Sequence, residues 1–268
     1  MLVRTAFALL ATALLTGCGP LADPADTGGA ARPAPVTTPG PVLYQKVVHR
    51  MVAERTATFT FSGQGGGETV SGSGDMRFAD AAFDADVQLT MPETGRVRAV
   101  LLPSASYLAL PAAKGLPRNK PWLKVSPSPR SPLGRRLDPV VDQLRASFDP
   151  AQSLGLLRAA RLVEDVGPAT VEGVPTTHHY AVVNLRRATR IASGAIKDQY
   201  QSMLDAGVRT LEYDVWLDTS GLPRRFSTDI PTTAGLFSVT GIYRDWGEKV
   251  RIEQPSAKRV FDADKLTG

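Results

Sequence analysis

The side chains that could act chemically are few and scattered. The chain has one cysteine, Cys18, and three histidines, His49, His178 and His179. His178 and His179 are neighbours in TTHHYAVVNL, an alternating stretch that reads as a strand. They therefore point to opposite faces and are badly placed to hold one metal together. Beyond Cys18 there is no thiolate, so a zinc site has little to build from. His49 falls on the polar side of a helical pattern, where water is its natural partner. Asp84 and Asp86 alternate with apolar residues in FDADVQLTM, which makes them the wet face of a strand rather than an acid–base pair. GQGGG, residues 63–67, lies between two strand patterns, so it reads as a hairpin turn and not as a phosphate cradle ahead of a helix. There is no GxSxG, HExxH or Walker A pattern. The expectation is a protein that is not an enzyme, with no catalytic residues, no metal and no cofactor.

Cys18 has a different logic. It ends an apolar run, residues 6–15, that follows Arg4 and is too short to span a bilayer as a helix. A basic start, a short apolar core and small residues before a cut site make a secretory signal peptide, here residues 1–17. Leu15-Thr16-Gly17-Cys18 is similar to the bacterial lipobox, whose cysteine receives a diacylglyceryl group and becomes the new N-terminus. An ordinary cleaved signal or an uncleaved anchor is the alternative. Two acyl chains give stable membrane attachment where one gives only marginal binding. The expected partner is thus the membrane, through a diacylglyceryl group on Cys18. The expected location is lipid-anchored at the extracytoplasmic face of the cell membrane.

Residues 1–17 carry Arg4 as their only charge, so residues 18–268 hold 30 basic against 26 acidic side chains. That is a mixed, mildly basic surface. No concentrated basic stripe marks it for nucleic acid. Residues 18–41 are the lipidated cysteine and a stretch dominated by proline, glycine, alanine and threonine. As a flexible coil this tether would average about 25 Å end to end. Residues 42–268 contain no second such linker and no repeat, and are read as one domain and a monomer.

The elements that position everything else come from periodicity. Leu43, Val47 and Met51 recur every four residues, predicting an amphipathic helix. The period then changes to two. ATFTFSG, ETVSGSGDMRF, FDADVQLTM, RVRAVLL and SYLAL read as antiparallel strands. Asp138-Pro139 and Asp149-Pro150 each look like an N-cap followed by a first-turn proline, predicting two short helices meeting at a corner. RLVEDVG and TTHHYAVVNL return as strands, and a third helix is expected over about residues 194–206, stopped by Gly207. RTLEYDVWLD, PRRFSTDI, LFSVTGIYRDW and KVRIEQP read as a four-stranded meander. In the first of these, Trp216 falls on a charged face, where Arg224 or Arg225 across the hairpin is its expected packing partner. Helices interrupting an antiparallel sheet define an α+β domain with helices packed on one sheet face.

Two segments carry a further resemblance. VEDVGPATVEGVPTTHHYAVVNL, residues 163–185, resembles the "E-x-VG…V-x-GV-x-TTHY…DL" stretch of the LppX/LprAFG-like actinobacterial lipoproteins. YDVWLDTSGLPRRF, residues 213–226, resembles the same family's "VW-x-D-x-x-G-LPRR". Asn184 departs from the pattern, which often has an acid there, and is read as a surface change. The resemblance implies a LolA/LolB-like fold: a strongly curved antiparallel sheet, an open half-barrel, with helices packed on its concave face. It also implies an apolar cavity that takes the acyl chains of a lipid or glycolipid, and a role in handling lipid in the cell envelope. The candidate lining residues are Val47, Met51, Phe83, Val87, Leu89, Leu144, Met203, Leu211 and Tyr213. The same residues would equally make an ordinary filled core. In that case the domain is a surface interaction or envelope-sensing module with no lipid ligand.

Overall fold

The computed structural model describes residues 36–265, apart from residues 80–81, 93–94, 110–116, 118, 150–153 and 233–234. The expected signal segment and Cys18 therefore lie outside the described residues, as does most of the expected tether. Residues 37–41, expected in the tether, belong instead to the folded part. Thr37–Pro39 is strand β1, and helix α1 spans Gly40–Glu54. Leu43, Val47 and Met51 form its buried stripe, as their spacing dictates.

Among the described residues, thirteen strands form one unclosed, curved sheet. Strands β2 (Thr56–Gly65), β3 (Glu68–Ala79), β4 (Ala82–Met91), β5 (Gly95–Leu102), β6 (Ala105–Ala109) and β7 (Trp122–Val125) make one meander. Strands β8 (Leu162–Val171), β9 (Val174–Asn184), β10 (Thr210–Asp218), β11 (Pro223–Thr232) and β12 (Gly235–Arg244) make a second. The two join side by side through β12 and β2, with β1 on the outer edge of β8 and the short β13 (Val260–Asp262) beside β7. Every pairing is antiparallel except β13 with β7. Helix α2 (Pro132–Phe148) and the single turn α3 (Leu156–Ala159) connect the meanders. Helices α4 (Leu185–Ile191) and α5 (Gly194–Asp205) lie between β9 and β10. The fold class is α+β. Helices and sheet share one core running from Val47 and Met51 through Val87, Leu101 and Leu157 to Tyr213 and Val215.

Three expectations need correction. Asp138-Pro139 does not start a helix. Ser131 does, two turns earlier: its Oγ accepts from the Gly134 N–H at 2.9 Å and donates to the Ala263 carbonyl at 2.8 Å, with Pro132 in the first turn. Pro139 has no N–H to give to the turn before it. The helix continues through it because Leu137, Val141, Leu144 and Phe148 stay on one inward stripe. Second, α4 is a helix that the periodicity does not reveal. Asn184 is its N-cap, with Oδ1 accepting from the Arg187 N–H at 3.0 Å. It is therefore a capping residue and not merely a surface change, and an acid at this position would cap equally well. Third, KVRIEQP is not a fourth strand, because β2 already occupies the free edge of β12. This segment instead crosses the outer face. It buries Ile252 against Val100, Tyr107 and Trp122, with the Tyr107 hydroxyl donating to Gln254 Oε1 at 3.2 Å.

Candidate functional site

A cleft of about 180 Å3 opens among the helices. Tyr44 of α1 and Arg158 of α3 form one wall, with the Arg158 guanidinium carbon 5.4 Å from the centre of the Tyr44 ring. Ala188 and Ile191 of α4 form another, and Ile196 and Tyr200 of α5 close it. The local reasons are simple. Gly40 lets α1 lie directly on α3, since a Cβ there would sit 2.1 Å from the Leu157 carbonyl oxygen. Asn184 starts α4, and the left-handed Gly194 (φ 53°) turns the chain from α4 into α5.

Tyr200 connects this cleft to the core beneath it. Burial pushes its phenol pKa up to about 12. Tyr213 lies close enough that Tyr200 contributes to its electrostatics, as do Tyr243 and Asp214. Burial is the main reason its own pKa stands well above the ordinary phenol value. Tyr213 is 1% exposed, and its ring stacks on Phe226 at 6.3 Å. Its hydroxyl has no hydrogen-bond partner among the described residues. Such a group in an apolar interior costs about 1–3 kcal/mol.

The nine candidate lining residues fall into two sets. Val47, Met51, Val87, Leu89, Leu211 and Tyr213 are buried members of the shared core. Phe83, Leu144 and Met203 are partly buried and pack against it. The structure brings all nine into one layer between helices and sheet, but none lines the cleft itself. Periodicity found the layer. It missed the wall made by α4, because LRRATRI is short and its apolar residues come directly after a strand.

Opposite the helices, the outer face carries a separate cluster. Trp216 is cross-strand from both Arg225 and His178. The Arg225 guanidinium carbon lies 4.7 Å over its ring, and the His178 ring stacks on it at 4.4 Å with an interplanar angle of 5°. His178 Nε2 reaches Asp214 Oδ1 at 2.6 Å. Arg224 turns instead to Asp218, at 2.7 Å. His179, on the other side of the strand, has its pKa lowered chiefly by burial, with Asp165 opposing and His178 adding to the shift. Among the described residues, no group of three or more His, Cys, Asp or Glu side chains could hold a metal ion. Among the same residues, no helix is long and apolar enough to cross a membrane.

No family model matches the chain. It is 28% identical over 151 residues to an uncharacterized 31.2 kDa protein of the rplA-rplJ intergenic region of Streptomyces griseus, covering 55% of this chain and 50% of that one. The match thus spans about half the length of that curated relative. Among solved structures, it is similar to the Mycobacterium tuberculosis lipoprotein LppX, at 16% identity and a TM-score of 0.48, covering 80% of this chain and 99% of LppX. It is also similar to LprF from Mycobacterium bovis, at 12% identity and a TM-score of 0.49, covering 82% of this chain and 99% of LprF.

Proposed function

We propose that this protein is a lipoprotein held by Cys18 at the extracytoplasmic face of the cell membrane, where it binds acyl chains of a lipid or glycolipid between its helices and its sheet. It would carry that lipid within the envelope. Residues 1–17 are then the signal peptide and the remainder a short tether and one lipid-binding domain. The observation that carries this reading is the buried, unpartnered Tyr213 hydroxyl beneath Tyr200 and the cleft. An ester carbonyl or hydroxyl entering past Tyr200 would give it the partner it lacks. The cleft of about 180 Å3 is smaller than ordinary ligand pockets of roughly 300–1,000 Å3. Entry of an acyl chain therefore requires α4 and α5 to part from α1 and α3.

The test is to secrete Cys18→Ala protein from a native-type host, purify it without detergent and analyse its extract by mass spectrometry. Lipid should co-purify. Tyr213→Phe should bind less of it, while the lipid-free form gains stability, by up to about 1 kcal/mol, since an unsatisfied hydroxyl is gone. A domain that repeatedly emerges empty and takes up no lipid afterwards overturns the reading. A second reading, a surface interaction module with a filled core, is favoured by the close burial of Val47, Val87 and Tyr213 in one continuous cluster. It gains if Tyr213→Phe stabilises the protein and no lipid is ever found.

A further inference from the structure

We propose that the surface formed by α3, α4 and the start of β8 docks on an anionic lipid bilayer, turning the mouth of the cleft toward the membrane. The proposal rests on the lipid-binding reading only for what the cleft does once docked. Arg158, Arg161, Arg186 and Arg190 are exposed on this surface, and Arg187 is half-buried beside them. No acidic residue occurs in residues 150–163 or 173–197. Four arginines of the sheet are matched, Arg77 with Asp84, Arg98 with Asp86, Arg224 with Asp218 and Arg244 with Glu172, while Arg225 lies over Trp216. None of the five on this surface forms an ion pair among the described residues. The acids on flanking elements nearest in sequence are Asp149 at the end of α2, Glu164 and Asp165 on β8, and Asp198 on α5 next to Lys197, and Glu212 of β10 is cross-strand from Val182.

One apolar side chain, Ile191, stands among these cations and is 37% exposed. Leu162 and Val182 are exposed too, but they alternate onto the sheet face opposite the helices, where Val182 is cross-strand from Glu212. Arginines around an exposed aliphatic group suit the boundary between headgroups and acyl chains. The path of the chain agrees. Pro39 of β1 pairs with Leu162, and Gly40 packs on the Leu157 and Ala160 carbonyls. The segment before residue 36 therefore joins the domain beside Arg161 and Leu162. A flexible coil of the 17 residues 19–35 would average roughly 23 Å, so a lipid on Cys18 would hold this surface, and not the far edge at β13, near the bilayer. Arg158 and Ile191 both line the cleft, which thus opens within the patch.

Docking can be read without the lipid anchor. Full-length Cys18→Ala protein is sedimented with vesicles of phosphatidylcholine alone, or of phosphatidylcholine mixed with phosphatidylglycerol. Binding should be tighter to the anionic vesicles, and the excess should vanish as salt is raised. Replacing Arg158, Arg186 and Arg190 together by glutamine should lower partitioning onto anionic vesicles by about a hundredfold, roughly fivefold for each charge. Phosphatidylcholine binding should not change, which absorbs any contribution from residues 1–17. Should the triple variant fold poorly, Arg186→Gln and Arg190→Gln alone should each give the roughly fivefold loss. Arg251→Gln, on the strap across the outer face, should have little effect. Equal binding to both vesicles, or arginine variants that bind like the parent, overturns the proposal. Lipid uptake with no anionic preference would sink docking and leave lipid binding standing, and the converse result would do the reverse.

Discussion

The two faces of the sheet are made by the same strands, yet they are solved in opposite ways. On the inner face, Ala57, Phe59, Met76, Val87, Leu101 and Val215 are packed under the helices. Their alternate neighbours Thr58, Thr60, Ser73, Asp86 and Gln88 form a hydrated surface, tied by cross-strand pairs such as Arg98 with Asp86 at 2.6 Å. The inner face gains from removal of apolar area from water, and its cost is the shape matching that close packing demands. The outer face gains little from each polar pair and tolerates change. Its apolar end, around Val100, Tyr107 and Trp122, is the exception. There the strap at Ile252 does the covering that helices do on the other side. The difference makes an imperfection on the inner face, such as the Tyr213 hydroxyl, expensive and therefore informative.

The sharpest way to break this contrast is to truncate a residue of each face. Leu101→Ala, at a fully buried inner position, should cost about 2–5 kcal/mol in urea unfolding, whereas Gln88→Ala at an exposed outer position should stay within about 0.5 kcal/mol. Comparable losses at both would mean that the outer face is packed against something. A smaller effect separates His179 from its outer neighbour. Burial holds its pKa below the ordinary value, so the folded protein takes up its proton less readily than the unfolded chain. Its contribution is present above about pH 6.5 and is lost as pH falls through the folded-state value. Urea midpoints measured across that range should decline toward acid, and His179→Gln should remove this part of the decline. The smallest effect belongs to the outer cluster. Arg225→Gln removes the cation from over Trp216 and should cost about 0.5–1 kcal/mol. A much larger loss would show that the cluster supports the sheet rather than decorating it.

Legibility tracked the strength of local signals. The alternation in FDADVQLTM and RTLEYDVWLD was enough to place the side chains of residues 83–91 and of β10 on their faces. The spacing of Leu43, Val47 and Met51 was enough for α1. Packing of Trp216 on Arg224 or Arg225 was legible across the hairpin, and the register, which shifts between Trp216 and Leu217, selects Arg225. Signals that depend on a partner were not legible. Asp138-Pro139 looks like a helix start in isolation, but Ser131 already caps that helix while also bonding Ala263, which lies far along the chain. KVRIEQP has strand composition, yet whether it pairs depends on which edge β2 has already taken. The cleft was invisible for the same reason: α1, α3, α4 and α5 each contribute one or two residues to it, and nothing in their sequence separation says so.

By itself, the sequence determined which residues are apolar on which face, where most strands turn, and that the charged residues around α3 and α4 are all basic. These come from short-range periodicity and composition, which need no partner to act. Tertiary structure alone decided that the two meanders join through β12 and β2. It decided too that the chain enters the fold at β1 beside Arg161 and Leu162, and that the Tyr213 hydroxyl has no partner among the described residues. Those outcomes come from long-range packing. There each group's environment is set by residues distant in the chain, and its energy is fixed only once the whole layer has closed.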